Sequence, residues 1–238
     1  MALAAAIIPF AIYAVDTQGK LPAWPPTSWP ALLWVGIPLI AVGALPCGRA
    51  LGSALFALFA GGSLWLALAP YRENQWAETN EVWIWLPGLT VGATLLFAAL
   101  ASRARSAPGG WLTPLLITAV MAASAKLIGD GGSAGSAMML GGLCFLSGGL
   151  MVVGLWRRDL PALRGTAAHL AWFPFALLFR GVFYAYVERV PALLALVALL
   201  AAVLPGKGRG SALLRALLAL GLAGAAVYLA WPEETYGY

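Results

Sequence analysis

Residues 136–156 read SAMMLGGLCFLSGGLMVVGLW, 21 positions without a charged side chain or a proline. Coiled as a helix, the run is about 30 Å long, the thickness of a bilayer's hydrocarbon core. Backbone N–H and C=O groups find no water in lipid, so a continuous run of this length is a helix rather than a barrel strand. Working outward from it, eight more segments qualify: 1–15, 31–46, 50–70, 82–101, 111–129, 167–187, 190–204 and 211–231. Segments 1–15, 31–46 and 190–204 are short, and the bilayer has to thin around them. The expected fold is all-α, a polytopic transmembrane bundle of about nine helices (range 7–9) in one integral membrane domain, 1–238. Residues 1–15 lack both a basic leading region and a small-residue cleavage pattern before Asp16, so they read as a span and not a leader.

Composition agrees. Of 238 residues, 62% are hydrophobic and 10% charged, whereas soluble domains run about 45–50% apolar and about 25% charged. The mean hydropathy is +0.87. So few charges cannot clothe a water-soluble core, which excludes a soluble enzyme, a secreted disulfide scaffold and a disordered chain. The net charge of +5 is the Lys/Arg excess of cytoplasmic loops, and no nucleic-acid partner is expected. A single histidine, His169, excludes bis-histidine metal chemistry. Cys47 and Cys144 are too few for a cluster and read as small hydrophobes. No cofactor, metal or catalytic residue is expected, and an enzyme is not the favoured reading. Arg over Lys, with abundant Ala, Gly and Leu, points to a bacterial cytoplasmic (inner) membrane.

The few charges are arranged. One set of connections carries Arg49, Arg103, Arg105, Arg157, Arg158, Arg164 and, at the start of the last helix, Lys207, Arg209 and Arg215, against the single acid Asp159. The other carries Asp16, Glu73, Glu78, Glu81, Asp130, Glu188, Glu233 and Glu234, with the bases Lys20, Arg72, Lys126 and Arg189. By the positive-inside rule the N-terminus is inside and the C-terminus outside. Trp65, Trp83, Trp85 and Trp231 mark the outer interface, and Trp111, Trp156 and Trp172 the inner one. Trp24, Trp29 and Trp76 fall in outer loops. Arg49, Arg103, Arg157 and Arg209 recur at intervals of 54, 54 and 52 residues. They mark hairpins 30–70, 82–129, 136–187 and 190–231, which reflect either duplication or simply the length of two spans and a turn.

Charges within spans are costly and are the first functional candidates. Arg180 in segment 167–187 costs about 3 kcal/mol on the insertion scale, and its apolar neighbours return about 0.5 each. Arg180, Tyr184 and Glu188 follow one another at i, i+4, i+8 and share a face, continued toward the inner end by Phe173 and His169. That stripe is read either as an outward-opening ion or substrate path or as Arg180 snorkelling to Glu188. Lys126 and Asp130 form a second i, i+4 pair, a further path candidate or an interfacial ion pair. Lys207 and Arg209, opening the last helix, are placed to hold a lipid headgroup. Gly88 and Gly92 are spaced for close helix contact, and segment 136–156 is glycine-rich for packing or as a hinge. Ser147 and His169 lie at different depths and make no serine–histidine couple.

Two functions remain open. One is a small transporter or channel-like protein with its site around Arg180. The other is a non-catalytic scaffold subunit in a larger membrane complex. The expected partners are the lipid bilayer and either partner membrane subunits or further copies of the chain.

Overall fold

The computed structural model describes residues 2–20, 30–44, 49–70, 82–103, 111–156, 161–206 and 208–231. Outside them lie Cys47, Arg72, Glu73, Glu78, Glu81, Arg105, Arg157, Arg158, Asp159, Lys207, Glu233, Glu234, Trp24, Trp29 and Trp76. The side chains of Arg49 and Arg164 are also outside. Within these residues the regular elements are all helical: α1 (Ala2–Asp16), α2 (Ala31–Trp34), α3 (Gly36–Ala44), α4 (Arg49–Ala67), α5 (Val82–Arg103), α6 (Leu112–Asp130), α7 (Ala134–Trp156), α8 (Pro161–Tyr184), α9 (Arg189–Ala202) and α10 (Arg209–Leu229). With α2 and α3 sharing one segment, nine segments are helical where nine were expected. Among the described residues, six helices are long and apolar enough to cross a membrane: α4, α5, α6, α7, α8 and α10. Phe145, Ile84 and Leu58 are 86%, 72% and 68% exposed on the outer wall of the bundle, a surface that suits lipid and not water. The chain is a multi-pass helical membrane protein.

The second segment breaks at Val35 for a reason written in the chain. Pro38 has no N–H to give the Trp34 carbonyl, and its ring crowds that oxygen. The ladder resumes with Leu39 N–H donating to the Val35 carbonyl at 3.2 Å.

Neighbouring helices run up and down. The largest pairings are α6 with α7 and α9 with α10, while α5 lies against α4, α8 and α9. The axis of the bundle is α8. Of an 18-residue stretch within 165–184, 89% is buried, against 22% of the corresponding stretch of α10. It packs on α1, α3, α5, α6, α7 and α9, and its Trp172, Phe173 and Phe179 are among the largest fully enclosed side chains. Close approach on one side requires a glycine: a Cβ on Gly92 of α5 would lie 2.7 Å from Phe175 Cε1.

Two expectations are corrected. The span expected over 167–187 starts six residues earlier, with Pro161 in its first turn where a missing N–H costs nothing. It also stops earlier, at Tyr184, where Tyr186 N–H donates to the Gly131 carbonyl at 3.0 Å and Val187 N–H to the Gly181 carbonyl at 3.2 Å. As a consequence Trp172 is not an interfacial residue. It sits mid-helix and fully buried.

Candidate functional site

Arg180 lies one turn before the end of α8, where the helix dipole favours a cation. Its Nη1 donates to Ser136 Oγ in the first turn of α7. Ser136 is itself fully buried and takes a second hydrogen bond from Ser133 Oγ at 2.9 Å. Asp16, the last residue of α1, holds its carboxylate against Gly135, so closely that a Cβ there would collide with it. Asp16 and Tyr13 both interact electrostatically with Arg180. The cluster therefore joins three helices, α1, α7 and α8, at one end of the bundle.

Local structure places each member. α1 closes with Gly19 in the left-handed region at φ +90, its N–H donating to the Ala14 carbonyl at 2.6 Å. Such a cap favours glycine, and it leaves Asp16 facing α7. A carboxylate opposes the dipole at the end of its own helix but is favourable at the start of another. Asp16 has found the start of α7. Asp16 is exposed and Arg180 half-buried, so the pair opens toward solvent or headgroups at that end.

The remaining candidates are distributed. Tyr184 donates from its hydroxyl to the Ala67 carbonyl at the end of α4. Glu188 stands past the end of α8, exposed, in extended backbone as the residue preceding α9. The expected helical stripe from Arg180 to Glu188 thus ends at Tyr184. Lys126 and Asp130 pair at 2.6 Å, both partly exposed, and the Lys126 ammonium stands 4.8 Å over the Trp231 ring. Arg209 begins α10 and is exposed; Lys207 is outside the described residues.

His169 belongs to a different part of α8. It lies eleven residues before Arg180, about 16 Å along the axis at 1.5 Å per residue. Its Nε2 donates to the Gly36 carbonyl at 2.9 Å, and Trp172 Nε1 to the Leu32 carbonyl at 3.0 Å. These two side chains brace the α2–α3 break, with Phe173 ring-stacked on His169 at 6.1 Å. Nδ1 of His169 is buried without a hydrogen-bond partner. Ser147 donates to the Pro114 carbonyl at 3.1 Å, so serine and histidine are each held by other groups.

Sequence reading missed Arg215. Its place at the start of the last helix counts it with the inner basic residues, and the structure encloses it there with 7% exposure, less than Arg180. No protein family, no curated protein and no solved structure matches the chain.

Proposed function

We propose that the protein is a small transporter or channel-like protein of a bacterial cytoplasmic membrane, with the Asp16–Arg180 pair closing one mouth. The supporting observation is that Arg180 sits on the most enclosed spanning helix, is hydrogen-bonded to Ser136 of α7 and lies within the electrostatic reach of Asp16 of α1. Charges within spans mark solute paths when they face the bundle interior. An incoming small anion has the chemistry to compete with the Asp16 carboxylate for the guanidinium, since both are charge-assisted acceptors. Separating α1 from α8 would then open the mouth.

The test is anion flux, with chloride and nitrate as probes, in proteoliposomes. Asp16→Asn frees Arg180 and is expected to raise flux several-fold, whereas Arg180→Gln reduces it at least tenfold. If wild type and both variants are equally impermeable, the reading fails. The scaffold reading then stands, supported by the exposed leucine face of α10 with open space beside Gly221 and Gly224. It predicts a stoichiometric membrane partner on purification in mild detergent.

Orientation is a separate proposal. With the basic turns inside, a cytoplasm-specific reporter fused after Tyr238 stays silent, and activity there would reverse the topology.

A further inference from the structure

At the opposite end of the bundle from Arg180, two arginines converge without a counter-ion among the described residues. Arg103 ends α5 and reaches over the C-terminus of α9. Its Nη2 donates to the Leu204 carbonyl and its Nε to the Val203 carbonyl at 3.4 Å. These are the orphan carbonyls a helix end presents, and a cation there is favourable. Arg215 lies six residues into α10, and its side chain runs back toward the helix start. Nε donates to the Ser211 carbonyl at 3.3 Å, the direction expected of a snorkelling cation. Arg103 is anchored on Val203 and Leu204 at the end of α9 and Arg215 on Ser211 in the first turn of α10, so the two guanidinium groups flank one connection, and their like charges act on each other.

Among the described residues no carboxylate balances either one. Arg215 is more than nine-tenths buried, and its Nη1 has no hydrogen-bond partner. A buried, unpaired guanidinium nitrogen beside a second positive charge is costly twice, through desolvation and through repulsion. One bound anion relieves both. With Nε of both arginines engaged by carbonyls, it is the outer N–H groups of the two guanidinium ions that meet the oxygens of a phosphate.

We propose that Arg103 and Arg215 together bind a phosphate group, most simply the headgroup phosphate of an anionic lipid in the adjoining leaflet. The surroundings favour a lipid source. Leu213, Leu214 and Leu217 are 62%, 55% and 63% exposed on the outer side of α10, the helix that carries Arg215, so acyl chains lie against this helix. Arg209 stands exposed at the start of the same helix. Basic groups so placed attract anionic headgroups. The site lies at the far end from Asp16 and Arg180, and it holds whether or not the protein transports anything.

The experiment is a titration of the purified full chain in neutral detergent with phosphatidylglycerol, phosphatidylcholine or inorganic phosphate. Bound lipid is read by native mass spectrometry and the unfolding midpoint by tryptophan fluorescence. Both lipids carry a phosphodiester, but the choline cation cancels its charge and is repelled by two arginines, so phosphatidylglycerol is expected to bind about tenfold more tightly than phosphatidylcholine. Arg215→Gln and Arg103→Gln each remove that preference, and Lys126→Gln at the other end leaves it intact. Saturation by inorganic phosphate alone supports the phosphate site and assigns it a soluble source. Equal binding of the two lipids with no response to phosphate overturns the proposal. Should Arg215→Gln fail to fold, the wild-type comparison and the more exposed Arg103→Gln still decide.

Discussion

Replacing Trp172 by alanine is expected to cost more stability than any other single truncation of a tryptophan in the chain. The side chain is fully buried in the middle of α8 and is among the largest enclosed groups. Its indole N–H satisfies the Leu32 carbonyl at 3.0 Å, beside the α2–α3 break. In soluble proteins such truncations cost about 3–5 kcal/mol. In a bilayer the unfolded reference is already out of water, so part of the transfer contribution falls away. Lost dispersion contacts and the cavity remain, which places the loss at about 3 kcal/mol, the lower end of that range. Trp172→Phe keeps most of the volume and removes the donor, at about 1–2 kcal/mol for the orphaned carbonyl. Trp156, 80% exposed on α7, is the control, and its alanine variant should fall within about 0.5 kcal/mol of wild type. Reversible unfolding in mixed micelles measures all three. Equal losses for the alanine and phenylalanine variants would mean that the hydrogen bond, not packing, holds the break.

This contrast also shows what a single sequence carries. The spans were legible because lipid forces every backbone group to pair within its own segment, and that demand leaves long uncharged runs such as 136–156. The break at Val35 divides a segment read as one continuous span over 31–46, although its cause, the donor Pro38 lacks, is local. The depth of Trp172 was not legible. Taking Arg164 as loop moved the start of α8 from Pro161 to 167, and a mid-helix tryptophan then looked interfacial. The end of α8 was hidden for another reason. No proline or glycine stands at 185–187, and the chain turns there by bonding to Gly131 and Gly181, contacts with no local signature.

The candidate site divides in the same way. Arg180 stood out by its cost in lipid, but its partners Asp16 and Ser136 lie far away in sequence, and periodicity relates only residues of one helix. Glu188 shared the right spacing and yet falls beyond the helix end. Arg215 was obscured by its nearness to Arg209. Counting charges by loop assigns both to the same turn, although the second is enclosed in the bundle. Spacing along a helix is informative only while the helix continues.

Substituting Gly92 tests the packing that places α8 at the centre. A Cβ there would meet Phe175 at 2.7 Å from Cε1 and 3.2 Å from Cζ. Phe175 is 3% exposed, enclosed within the bundle. The ring cannot swing into lipid, so α5 and α8 must move apart. Overpacking of this kind costs about 1–3 kcal/mol, and Gly92→Ala should lose about 2. Gly92→Leu should lose more and lower the yield of folded protein. One turn away, Gly88 has nothing within 4 Å of the same added atom. There alanine only removes backbone freedom from the unfolded chain, and Gly88→Ala should gain about 0.5–1 kcal/mol. The two substitutions are chemically identical and lie on one helix, so opposite signs isolate the neighbour as the cause. Combining Gly92→Ala with Phe175→Leu should recover at least 1 kcal/mol relative to the sum of the single losses, as contacting residues do in a double-mutant cycle. Strict additivity would mean that α5 and α8 are not in the close contact that Gly92 permits, and the central position of α8 would lose its physical basis.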